Sequence, residues 1–150
     1  MSLNQNQFAL QSIKGTKVHG GESQVMSVQF YSATATDVIA PGEFVILDSL
    51  TPAGSMPRVK VGADQESVYF GVVLTNPILE SFGVGEKCEI GILGSVVTCE
   101  ADAALNVGVS VAYDPSSKKI TAHAGSEKVV GILLEKSAAD GDLVRVLVRA

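Results

Sequence analysis

The chain is 150 residues long, enough for one domain that buries a core without disulfides or metals. Its 11 Lys and Arg against 16 Asp and Glu leave a formal net charge of −5. That balance argues against nucleic acid as a partner, because counterion release from a phosphate backbone needs a concentrated basic face. Two cysteines without a CxxC pair and two widely separated histidines, His19 and His123, provide no metal-ligand spacing. No basic stretch followed by an apolar run opens the chain, which predicts synthesis in the cytoplasm without secretion. Runs such as Val129-Val130-Gly131-Ile132-Leu133-Leu134 are too short to span a bilayer, so no membrane partner is expected.

Residues 1–24 differ in character from the rest. Gln5, Gln7, Gln11 and Gln24 lie here, and Leu3, Phe8, Leu10 and Ile13 are scattered among amides and glycines with no firm period. This reads as an extended N-terminal arm, the plain alternative being an ordinary frayed terminus. From residue 25 onward, Val and Ile are abundant, Trp is absent, and glycines punctuate short apolar runs, which is the pattern of an all-β domain. Met26, Val28 and Phe30 alternate with Ser27, Gln29 and Tyr31 and give the first strand. Further strands are predicted at 43–48, 58–61, 69–74, 87–93 and 95–99. After one turn of helix over Ala101–Leu105, the rest follow at 109–114, 119–122, 128–134 and 143–149.

The strands recur. Pro41-Gly42-Glu43-Phe44-Val45-Ile46-Leu47-Asp48 aligns with Val107-Gly108-Val109-Ser110-Val111-Ala112-Tyr113-Asp114. Gly71-Val72-Val73-Leu74 aligns with Gly131-Ile132-Leu133-Leu134, and Gly85-Glu86 with Gly141-Asp142. Residues 38–95 and 104–149 thus read as two copies of one β unit, with insertions in the first copy at Ser49–Pro57 and Pro77–Gly83. Two short sheets with one apolar face each pack as a sandwich or close into a small barrel. The competing explanation is chance recurrence of glycine before strands.

Chemical templates fit poorly. Gly15-Thr16-Lys17-Val18-His19-Gly20-Gly21 lacks the Gly-Lys-Ser/Thr order of a phosphate loop, and Gly83-Val84-Gly85 is followed by a strand where a dinucleotide loop needs a helix. Asp48 and Asp114 are repeat-related carboxylates that an acid/base pair would require, but each ends a strand where Asp bonds the backbone of its own turn. His123 has no nucleophile elbow around it. Cys88 aligns with Val144 and so falls on an apolar strand face, as a small buried hydrophobe. Glu89 and Arg145 are equivalent positions of opposite charge, free to pair across a subunit contact or to remain solvated. Lys118-Lys119, the one local basic cluster, reads as a solvated turn.

The closing stretch, Gly131-Ile132-Leu133-Leu134-Glu135-Lys136-Ser137-Ala138-Ala139-Asp140-Gly141-Asp142-Leu143-Val144-Arg145-Val146-Leu147-Val148, resembles the C-terminal signature of tailed-phage capsid decoration, or cement, proteins. Val109–Asp114 followed by Lys119-Ile120-Thr121 is similar to a hairpin of that family, with Val109 standing where an acid is common. The likeness runs from about Val25 to the end. It implies a non-enzymatic protein of the virion, placed on the outer surface of the capsid where capsomers meet. The implied partners are the major capsid protein and, as a homo-trimer, further copies of itself, with no cofactor, metal or small-molecule substrate. On this reading Leu3, Phe8, Leu10 and Ile13 are candidate contacts to the capsid or a neighbouring subunit, made by adding a strand to a sheet edge. The alternative from another class is a small non-enzymatic β-barrel module binding carbohydrate or a host surface. That module would display exposed aromatics, and the chain has no Trp, three Tyr and five Phe. A β-barrel hydrolase comes last.

Overall fold

The computed structural model describes residues 14–15 and 24–149. Leu3, Phe8, Leu10 and Ile13 lie outside them. The described residues form twelve strands and no helix: β1 (Val25–Phe30), β2 (Val38–Ile39), β3 (Phe44–Leu47), β4 (Arg58–Val61), β5 (Gly71–Val73), β6 (Phe82–Gly83), β7 (Lys87–Gly91), β8 (Val96–Glu100), β9 (Ser110–Asp114), β10 (Lys119–Ala122), β11 (Gly131–Leu133) and β12 (Leu143–Val148). The fold is all-β. Strands β1-β4-β3-β5-β7 close into a barrel, β10-β9-β11-β12-β8 form a second sheet, and β2-β6 a two-stranded one.

Read from β4, the barrel order is β4-β3-β5-β7-β1, and the second sheet runs β10-β9-β11-β12-β8 with the same connectivity. The registers agree as well. Val45 opposes Val61 as Val111 opposes Ala122, Val73 opposes Ile90 as Leu133 opposes Val146, and Val28 opposes Cys88 as Cys99 opposes Val144. Strand β1, which lies outside the span 38–95, holds the place in the barrel that β8 holds in the second sheet. The barrel closes through parallel pairing of β1 with β4, where the Tyr31 amide donates to the Val59 carbonyl at 2.9 Å. The second sheet is joined only by a parallel bridge of Ala101 with Ile120, where the Asp102 amide donates to the Ile120 carbonyl at 3.0 Å.

Ala101–Leu105 is therefore not a helical turn. Ala101 continues the inward alternation of Val97 and Cys99 and is fully buried. Leu105 exchanges two 3.0 Å backbone bonds with Ser137 and is buried too. Burial of these two apolar side chains outweighs the local helix preference of an alanine-rich stretch.

Side-chain alternation divides the barrel strands between two cores. Val45 and Val73 join Val28, Val59, Cys88 and Ile90 in the barrel interior. Their neighbours Phe44 and Val72, with Tyr69 and Leu74, pack on the inner face of the second sheet against residues such as Val111, Tyr113 and Leu133. Phe44, Tyr69 and Tyr113 meet there at ring-centroid distances of 6.4, 5.2 and 5.2 Å. The barrel interior is filled by its own small sheet, since Ile39 of β2 opposes Phe82 of β6 and both are buried in that core. The stretch Pro77–Gly83, where the first unit is longer, supplies β6. The second sheet has no such pair and uses the outside of the barrel instead.

Candidate functional site

Lys14 and Gly15 are fixed in the seam between barrel and second sheet. The Gly15 amide donates to the Thr98 carbonyl of β8 at 2.7 Å, and the Gly15 carbonyl accepts from the Thr75 amide, just past β5, at 3.1 Å. Gly15 is buried with φ of +79°, and a Cβ there would lie 2.5 Å from the Pro41 Cβ, so both backbone angle and space require glycine. The Lys14 side chain lies across Gly42. Its ammonium is 3.6 Å from Glu100 and donates to the Lys118 carbonyl at 3.4 Å.

Around this point the charges form a network. Lys119 sits 2.7 Å from Asp140 and 3.4 Å from Glu100, and Lys118 is 3.5 Å from the buried Glu43. The hydrogen bond to Asp140 raises the Lys119 pKa above its ordinary value. The Lys118-Lys119 pair is thus engaged in ion pairs rather than merely solvated.

The two loops that lengthen the first unit meet on one cavity of about 400 Å³, where Met56 from one loop and Pro77 from the other face Phe82 and Cys88. Beside it, a groove of about 450 Å³ runs from Lys14 past Pro41 and Thr75 to Pro77, Ile78 and Leu79. Ile78 is 86% exposed. Its display is built in: the Asn76 side-chain oxygen accepts from the Ile78 and Leu79 amides at 2.8 and 3.2 Å, and Phe82 anchors the far end of the loop in the barrel core. An Asn-Pro pair followed by two large apolar residues was the available sequence signal for this knob. No such signal marked Lys14 and Gly15 as the root of the N-terminal segment.

Residues weighed for chemistry have structural partners. Asp48 is buried, 2.9 Å from the Arg58 guanidinium and 3.8 Å from Lys60, and it accepts from the Leu50 amide at 3.2 Å. Arg58 also donates to the Leu50 carbonyl at 2.8 Å and lies 4.3 Å from the centre of the Tyr31 ring. Asp114 caps its turn by accepting from the Ser116 amide at 2.9 Å and the Ser117 hydroxyl at 3.2 Å. His123 Nε2 is 2.9 Å from the Glu127 carbonyl, which can only accept, so this nitrogen carries the proton. Burial pushes the Cys88 thiol up to about 11 and the Cys99 thiol to about 12; both are free and buried. Arg145 is held by Glu135 of its own chain at 2.8 Å. The described residues hold no group of three or more His, Cys, Asp or Glu able to bind a metal ion.

Residues 21–150 match a family model described as phage cement protein. Among solved structures, the chain is similar to the head fiber gp8.5 N base of bacteriophage phi29. The TM-score is 0.57 at 11% identity, covering 84% of this chain and 93% of that one. At that identity the likeness speaks for the fold alone. No curated protein matches the sequence.

Proposed function

Because the chain belongs to the phage cement protein family, we propose that it binds the outer surface of a tailed-phage head at the junctions between capsomers and stabilises the shell. The observation that carries this reading is the family match over residues 21–150, which takes in every strand of both sheets instead of a single motif. The partner is the major capsid protein, and the working form is a homo-trimer. Three weak contacts on one body then bind with an avidity roughly 10²–10⁴ above that of each alone. The protein supplies contacts and no chemistry, in keeping with the local turns and ion pairs that occupy Asp48, Asp114 and His123. Leu3, Phe8, Leu10 and Ile13 contribute contacts to the head or to a neighbouring subunit.

Heads prepared without the protein provide the test. Added protein should co-sediment with them to saturation and raise the temperature at which they release DNA, and the free protein should sediment as a trimer at micromolar concentration. A strict monomer that stays in the supernatant would overturn the proposal.

A further inference from the structure

We infer that the groove beside Lys14 is the seat of the chain's own segment Leu3–Ile13, held there by its apolar residues with its amide side turned outward toward a head or a neighbouring subunit. This deepens the proposal that the segment contributes to head or subunit contacts. Three observations carry it. The groove begins where that segment ends, because Lys14 lines it and is locked in place through Gly15 and Glu100. The groove is lined by the apolar Pro41, Pro77, Ile78 and Leu79 together with the charged Lys14 and Glu80, and Ile78 is 86% exposed. Residues 1–13 contain no Asp, Glu, Lys or Arg, so they bring no side-chain charge to be desolvated against those apolar residues.

Reach is sufficient. In an extended chain at about 3.3 Å per residue, Leu10 lies within roughly 13 Å of Lys14 and Phe8 within roughly 20 Å. Alternate residues of an extended segment share a side, so Phe8 and Leu10 enter together while Gln7, Ala9 and Gln11 face away. The amides of that outer side remain available to a second surface.

The chain has no Trp, so Phe8→Trp introduces a single reporter. In the full-length protein without heads, its emission should lie at the short wavelengths of a buried indole. It should stay there on dilution and move to solvent-like values when Ile78→Asp and Leu79→Asp are added. The less disruptive pair Ile78→Ser and Leu79→Ser should act in the same direction, with the cooperative melt retained. Solvent-like emission from the folded Phe8→Trp protein would overturn the inference, as would a buried signal indifferent to both double substitutions. A buried signal that fades on dilution would overturn it too, by assigning the groove to a second copy's segment. Head binding does not enter these readings, so the proposed function can fail while the seat holds, and the reverse.

Discussion

The two cysteines show how far single residues are set by their place in a strand. Cys88 pairs with Val28, and Cys99 pairs with Val144, so each cysteine stands where the other unit carries valine. Cys88→Val and Cys99→Val should therefore fold, with urea-unfolding stability within about 1.5 kcal/mol of the parent, the range for near-isosteric core exchanges. The raised thiol pKa values add a pH dependence. Folded-state values of about 11 and 12 lie above the ordinary thiol value of 9.0, so the neutral form is favoured in the fold. Tyr69, pushed up to about 12 by burial, acts in the same sense. The unfolded chain releases these protons first, so their contribution is complete below about pH 9 and is lost between about pH 9 and 12. Urea midpoints should fall across that window, and the double Cys→Val variant should fall less steeply. Asp48 is a different case, because removing it leaves Arg58 partly buried without its carboxylate. Asp48→Ala should cost about 2–3 kcal/mol by urea titration. This is below the roughly 3–5 of a fully buried pair, since Arg58 keeps the Leu50 carbonyl and the Tyr31 ring.

At the scale of elements, Gly71 and Gly131 mark the starts of β5 and β11, and their surroundings match. A Cβ on Gly71 would lie 2.8 Å from the Gly91 carbonyl oxygen and 3.0 Å from Ile90; on Gly131 it would lie 2.6 Å from the Leu147 carbonyl oxygen and 2.5 Å from Val146. We propose that the two units are copies of one ancestral β unit. Gly71→Ala and Gly131→Ala should then each destabilise by about 1–3 kcal/mol, the range for overpacked sites. A thermal melt in which only one of them matters would speak against equivalence. Most of the longer strands were legible in the chain because alternation survives wherever a strand has one buried face, as in Met26-Val28-Phe30 and Val144-Val146-Val148. Strands β2 and β6 were not, because two residues carry no period and their pairing depends on Ile39 and Phe82 meeting inside a barrel closed by other strands. The bridge of Ala101 with Ile120 was hidden for a related reason: parallel closure is a tertiary event that a local helix preference cannot report. Of the candidate site, the two insertion loops were visible as length differences between units, whereas their meeting on one cavity needed the fold.

The described residues join a closed barrel to an open sheet of the same strand order. The barrel fills its interior with β2 and β6, the second sheet borrows the barrel's outer face, and Lys14-Gly15 crosses the seam between them. This arrangement separates two roles that a simple arm would merge. Residues 2–13 precede the seam, while Gly15 makes backbone bonds to both units and Lys14 an ion pair to Glu100. Deleting residues 2–13 should lower the melting temperature only slightly, through the loss of Phe8 and Leu10 from the groove, and lower head occupancy at least about tenfold, the equivalent of roughly 1.4 kcal/mol. Deleting residues 2–15 should lower occupancy in the same way and depress the melt further, because two buried backbone bonds at about 1 kcal/mol each are lost and the Thr98 carbonyl loses its Gly15 donor. Ala9→Pro should resemble the shorter deletion in occupancy, since it removes a main-chain donor and leaves the seam intact. Calorimetry of the three variants beside head co-sedimentation separates the outcomes. Unchanged occupancy for the 2–13 deletion would return the contact surface to the knob at Ile78 and Leu79, where Ile78→Asp should then reduce binding on its own.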